Sequence, residues 1–217
     1  MTPMPSRALK DLVRRRVLGS WLVERGPTHR PAVALTFDDG PNAEGTPLIL
    51  DTLKKHGAVA TFFIIGKAAR AHPELVERIA AEGHELGNHS MTHAEFAQIS
   101  LGEIHDEVVG TDRLIRQWAA AQERIWFRPP KGVLNLRTIW YAISRSRKYA
   151  MWSNDPKDFA AGSTSELARH FGVHEPRAGE IVLLHDSSRA TVAYLETLLE
   201  SIRGRGLRTV TLSQLIA

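Results

Sequence analysis

Ala32-Val33-Ala34-Leu35-Thr36-Phe37-Asp38-Asp39-Gly40-Pro41 is an apolar run that ends on two aspartates and a Gly-Pro turn. An unbroken apolar stretch bounded by a turn reads as a strand buried on both faces, the kind found in parallel sheets covered by helices. Working outward, similar runs return at residues 59–65, 85–88, 125–127, 149–153, 180–185 and 207–212. Helix-like stretches lie between most of them, at 46–56, 73–82, 101–121, 136–144, 165–171 and 191–203. Pro73 suits a first helical turn, and Gly57, Gly83 and Gly206 stand where helices should stop. This alternation predicts an α/β fold of parallel strands joined by helical crossovers. Seven strands fit either a modest barrel or an open wound sheet, and both stand on pattern alone.

Ahead of this region, residues 6–25 read as an amphipathic helix with Leu9, Leu12, Val13, Val17, Trp21 and Leu22 on one side. The chain thus divides into an N-terminal helix and lead-in over 1–30 and a single domain over 31–217. The helix is expected to pack on the domain and cover an open end. Membrane-surface contact through Arg14-Arg15-Arg16 is the alternative.

A length of 217 residues suits one domain with a sizeable core. The net charge of +4 is mild, and Lys and Arg are scattered rather than striped, so no nucleic-acid partner is expected. The absence of cysteine excludes disulfides and thiolate metal sites, so any metal must rest on the 10 His and 24 Asp plus Glu. No apolar run nears the roughly 18 to 20 residues a membrane span needs. Lys10, Asp11 and Arg14 to Arg16 interrupt the N-terminal apolar stretch, so a cytoplasmic location is expected. The oligomeric state has no signature.

The chemistry gathers at strand ends. Asp38 and Asp39 follow residues 32–37, His89 and His93 follow 85–88, Arg128 follows 125–127, Asp155 follows 149–153, and His185 ends 180–185. Five strands so place an ionisable group at the carboxyl edge, where parallel α/β folds bind ligands. Singly, each has a plain explanation: Asp-Gly is a common turn, Arg128 could be a surface charge before Pro129-Pro130, and His185 a core histidine. A second pair, His170 and His174, lacks an acidic partner at a strand end and reads as surface histidines. Asp158 reads as a turn cap, and Trp126, Phe127, Trp140 and Trp152 as core. His89 and His93, four apart on one side of a helical turn, would with Asp39 make an open two-His, one-carboxylate site. Such a site suits Zn²⁺ or a similar ion that keeps a water.

Thr36-Phe37-Asp38-Asp39-Gly40-Pro41 and His89-Ser90-Met91-Thr92-His93 resemble the first two motifs of the polysaccharide deacetylases, carbohydrate esterase family 4. Arg128-Pro129-Pro130, Asp155-Pro156-Lys157-Asp158 and Leu183-Leu184-His185 resemble the remaining three, in order. The resemblance implies a distorted barrel of seven or eight β/α units that hydrolyses the N-acetyl group of N-acetylglucosamine-type residues. It implies that Asp39, His89 and His93 hold a divalent metal, Zn²⁺ first and Co²⁺ or similar next. Asp38 would be the general base, paired with Arg128, and the backbone N–H of Lys131 would help stabilise the oxyanion. His185 would protonate the leaving amine, held by Asp155, and Leu183 would line the acetyl pocket.

Two departures stand out. Lys131 occupies a place that is usually aromatic, which suggests a cationic groove and a substrate with a negative charge nearby. Phe159 replaces a Trp and keeps an aromatic wall. The size resembles that of the nodulation-type chitooligosaccharide deacetylases. The competing readings are a deformylase or other N-deacylase acting on a lipid- or nucleotide-linked sugar, and a carbohydrate-binding relative that has lost catalysis.

Overall fold

A computed structural model describes residues 21–217. In chain order the strands are β1 (Leu22–Val23), β2 (Ala32–Asp38), β3 (Thr61–Ile64), β4 (Glu85–Asn88), β5 (Tyr149–Ala150), β6 (Ile181–His185) and β7 (Arg208–Thr209). The helices are α1 (Gly45–Lys55), α2 (Gly66–Ala71), α3 (Pro73–Ala81), α4 (Leu101–Trp118), α5 (Leu136–Ser144), α6 (Thr164–Val173), α7 (Arg189–Gly204) and α8 (Leu212–Ile216).

β2 is buried along its whole length and pairs in parallel with β3, β6 and, at its start, β7. β3 carries β4 in parallel on its far side. Single parallel bridges close the ring: Phe127 joins Asn88 to Tyr149, and Asn154 joins Val182. The fold is a distorted (β/α) barrel, so the closed alternative holds over the open sheet. The stretch at 125–127 supplies only the two bridges of Phe127. Pro129 and Pro130, which follow, have no N–H with which to extend a ladder.

Successive strand side chains point to opposite faces, and that alternation sorts core from site. Val33, Leu35, Phe37, Phe62, Ile64, Leu86, Val182 and Leu184 pack among the helices. Ala32, Ala34, Phe63, Trp126, Ala150 and Ile181 fill the interior, over Leu212 and Leu215 of α8. Counting onward by twos on the interior face reaches Thr36 and Asp38 on β2, Arg128 beyond Trp126, and Leu183 and His185 on β6. On β4 the same count runs Glu85, Gly87, His89. Gly87 is required there, since a Cβ would stand 2.5 Å from the Phe63 ring.

Several elements differ from expectation. Residues 6–20 of the N-terminal amphipathic helix lie outside the described residues. Its tail is not helical, because Leu22–Val23 is a strand paired with Tyr149–Ala150. The carbonyls of Trp21 and Val23 accept the Tyr149 and Met151 N–H groups, so this segment completes the ladder beside β5. The expected strand at 207–212 shortens to β7, because Thr211 caps α8 with Gln214 in a reciprocal capping box. α2 has too few residues to show a helical period. No described helix is long and apolar enough to cross a membrane.

Candidate active site

Asp39, His89 and His93 converge at the carboxyl ends of β2 and β4, each offering one ligand atom, all within 4.8 Å of one another. His89 Nε2 lies 3.3 Å and His93 Nε2 3.4 Å from Asp39 Oδ1. The imidazole of His89 has its Nδ1 at 2.8 Å from the Arg128 carbonyl. A carbonyl only accepts, so Nδ1 carries the proton and Nε2 of the neutral ring is a bare lone pair. It therefore faces a carboxylate oxygen that is itself buried and without a hydrogen-bond partner. Two acceptors held together with no donor between them suit a cation, and the three residues fit a divalent metal in donor type and spacing.

Burial raises the pKa of Asp39, but the imidazoles of His89, His93 and His185, in their charged forms, outweigh it and hold the carboxyl below its ordinary value. Burial, with His89 next, lowers that of His93, which favours the neutral form a ligand needs. The two histidines do not lie on a helical turn as expected. Ser90 and His93 have φ of 69° and 59°, and the loop is held by side chains. Asn88 Oδ1 accepts the Ser90 N–H at 2.8 Å, and Ser90 Oγ accepts the His93 N–H at 3.1 Å.

Asp38 sits 3.7 Å from His89 Nε2 through Oδ2, while its Oδ1 accepts from Arg128 at 2.6 Å. Arg128 is fully buried and every arm of the guanidinium is used. It donates to Thr36 Oγ1 and to the Ala150 and Met151 carbonyls, each at 2.9 Å, and lies 4.1 Å over the Phe63 ring. Such a fork fixes one oxygen of Asp38 and leaves the other toward the cavity.

His185 is oriented by Asp158, not by Asp155. Asp158 Oδ1 meets His185 Nδ1 at 2.7 Å, and Oδ2 accepts the His185 backbone N–H at 2.7 Å and the Thr191 hydroxyl. Burial lowers the pKa of His185, but the bond to Asp158, its charge, and those of Asp38 and Asp39 prevail and raise it overall. Nε2 points toward the candidate ligand trio, 4.0 Å from Asp39 Oδ2. Asp155 instead accepts from Lys157 N–H at 2.9 Å and from its ammonium at 2.6 Å, folding back on its own turn. Asp158, expected as a plain cap, is 1% exposed.

Asp38, Asp39, His89, His93 and His185 line a cavity of about 450 Å³ that also takes in Lys131, Trp152, Asp155, Phe159 and Leu183. Lys131, in the left-handed region, lies in a 3₁₀ turn whose bonds run from Gly132 and Val133 to Pro129 and Pro130, so its own N–H stays outside them. A Cβ on Gly132 would stand 2.3 Å from the Trp152 ring, so glycine lets turn and wall close up. The Lys131 ammonium is paired with Glu95, and Lys157 with Asp155, so the rim is balanced rather than cationic. Phe159 stands edge-on to His185 with ring centres 5.5 Å apart. Trp126 and Phe127 are core, but Trp140 is 58% exposed. His170 of the second histidine pair hydrogen-bonds Asn154 at 2.8 Å, and its ring lies 5.1 Å from that of His174. Thr36, Asn88 and Asp158 all support the site, and only the interior count from Asp38 could have singled out Thr36 beforehand.

The polysaccharide deacetylase family model matches residues 25–150. A peptidoglycan-N-acetylglucosamine deacetylase of Bacillus cereus is 35% identical over 88% of this chain and 90% of its own length. A chitooligosaccharide deacetylase of Bradyrhizobium sp. is also 35% identical, over 85% of this chain and 90% of its own. Among solved structures, the Bc1960 peptidoglycan N-acetylglucosamine deacetylase superposes with a TM-score of 0.86 at 30% identity, covering 93% of this chain and 95% of that one. With all five expected motifs at the barrel mouth, the chain belongs to the polysaccharide deacetylase family, carbohydrate esterase family 4.

Proposed function

We propose that the chain is a metal-dependent N-deacetylase that hydrolyses the acetamide of N-acetylglucosamine-type residues in a poly- or oligosaccharide, releasing acetate and a free amine. One observation carries the reading: a ligand trio with an Arg-held aspartate on one flank and an Asp-held histidine on the other. Asp39, His89 and His93 would hold the ion, most simply Zn²⁺ given two imidazoles and one carboxylate. When bound, such an ion acidifies water and polarises a carbonyl.

The protein's own groups supply the proton traffic. Asp38 Oδ2 takes a proton from the attacking water, while Arg128 holds Oδ1 still. The new C–O bond converts the planar amide to a tetrahedral oxyanion, toward which the Lys131 N–H can donate. His185 Nε2 then gives its proton to the nitrogen as the C–N bond breaks, because an amine anion is too poor a leaving group. Asp158 stabilises the imidazolium before that transfer and fixes the ring tautomer. Leu183 and Trp152 form the apolar wall suited to the acetyl methyl.

A cytoplasmic location would go with short oligosaccharides or glycan intermediates. Peptidoglycan would require the chain to reach the cell wall. The test is acetate and formate release from chitin oligomers, peptidoglycan fragments and sugar nucleotides, before and after chelation and Zn²⁺ return. Acetate that vanishes with chelator and returns with metal is expected. Release indifferent to chelation, or formate in place of acetate, would overturn the reading.

A further inference from the structure

We propose that Asp186, the residue after the candidate acid, is a positioning residue that fastens the turn carrying Asp39 to the strand end carrying His185. This rests on the reading of Asp39 as a ligand and His185 as the acid. Asp186 is fully buried. Its Oδ2 accepts the Thr46 hydroxyl, in the first turn of α1, and at 3.2 Å the Asn42 N–H, on the turn that leads there from Asp39; that N–H is shared with Thr46 Oγ1 at 2.7 Å. Asn42 in turn accepts the N–H groups of Glu44 and Gly45 through its side chain, so the start of α1 hangs from the same anchor.

The turn is wrapped closely around this residue. A Cβ on Gly40 would stand 2.0 Å from Asp186 Oδ2, and one on Gly45 would stand 1.7 Å from the Asp186 carbonyl oxygen. Glycine occurs at both points of approach because no side chain fits there. Asp39 itself has φ of 72°, a conformation a non-glycine residue keeps only where its surroundings impose it. Asp186 Oδ1 is buried with no partner among the described residues. Core packing alone would favour an apolar side chain over a half-satisfied carboxyl. Its acceptor oxygen is needed where Asn42 and Thr46 meet, and Asp39 and His185 owe their 4.0 Å separation to that joint.

The experiment measures Zn²⁺ affinity by competition with a chromophoric chelator, thermal unfolding of the metal-free protein, and acetate release. Asp186→Ala should weaken Zn²⁺ binding about 10- to 100-fold, the loss typical of removing a group that orients a ligand. Asp186→Asn keeps an acceptor for Asn42 and Thr46 and should restore affinity to within about threefold of wild type. Gly40→Ala should weaken binding alone yet add nothing in the Asp186→Ala background, where the collision is gone. Should Asp186→Ala fail to fold, Thr46→Val and Gly40→Ala carry the same test with the carboxyl in place. Wild-type affinity in a folded Asp186→Ala protein, with only its unfolding temperature lowered, would overturn the proposal and leave the deacetylase reading intact. A wild-type chain that binds no Zn²⁺ would overturn both.

Discussion

Replacing Asp158 with Asn tests which carboxylate serves the candidate acid. Both oxygens of Asp158 accept: Oδ1 from His185 Nδ1, and Oδ2 from the His185 backbone N–H and the Thr191 hydroxyl. An amide that keeps its oxygen on the His185 backbone N–H and Thr191 turns its NH₂ toward His185 Nδ1, so the imidazolium, whose Nδ1 can only donate, loses that bond along with the charge. A hydrogen bond to a charged group is worth about 1.5–3 kcal/mol, so kcat/KM should fall about 10- to 150-fold. The pH dependence adds a sharper sign. Burial depresses the pKa of His185, and Asp158 is the chief influence that reverses it. Without that charge the imidazolium gives up its proton at lower pH, so the alkaline limb of kcat/KM should move toward acid. Asp155→Asn should leave that limb in place, because its carboxylate engages Lys157. Acetate release from an N-acetylglucosamine oligomer between pH 5 and 10 would decide between them. A limb that moves in Asp155→Asn and stays in Asp158→Asn would refute the assignment.

Arg128→Lys keeps the charge but cannot span Asp38, Thr36 and two carbonyls, and should cost about 2–4 kcal/mol in urea unfolding; a loss below about 1 would contradict the buried network. His84, outside the site, is buried with Nδ1 accepting the Ala60 N–H and Nε2 unpartnered among the described residues, and burial lowers its pKa to about 4 from 6.5. The unfolded chain therefore takes up a proton that the folded one refuses as pH falls from 6.5 toward 4, removing up to about 3 kcal/mol of stability. Urea unfolding at pH 7 and 4.5 should show that slope and lose much of it in His84→Gln; an equal slope in both would contradict it. Lys131→Tyr should change the preference between neutral and anionic N-acetyl sugars by no more than about twofold, because Glu95 already balances the ammonium and exposed pairs are weak. A strong shift toward neutral sugars would revive the cationic groove.

The alternation of β2, β4 and β6 made much of the barrel and its site legible. A strand keeps its parity, so an interior Ala32 or Ile181 already commits Asp38 and His185 to the same face. The run 85–88 emerged with its expected bounds, as did the helix 136–144. Contacts across long sequence separations were not legible. Asp155 and Asp158 follow the same strand three residues apart, and local pattern ranks them equally. What separates them is His185 and Thr191, 27 and 33 residues away. The neutral rim was hidden for the same reason, since Glu95 lies 36 residues before Lys131.

Backbone conformation sharpens the distinction. Asp38, Arg128 and His185 sit where the strand count places them, and neighbouring ladders hold their backbones. Asp39, Ser90, His93 and Lys131 lie just past strand ends, and all four have positive φ, at 72°, 69°, 59° and 57°. Non-glycine residues pay for that conformation in free energy, so each needs a prop from outside the ladder. For His93 it is the Ser90 hydroxyl, and for Ser90 the Asn88 side chain. Of the three candidate ligands, His93 thus depends on a chain of side-chain contacts rather than on sheet pairing. Metal affinity should therefore be more sensitive than global stability to substitutions at Asn88 and Ser90, although neither residue belongs to the ligand trio.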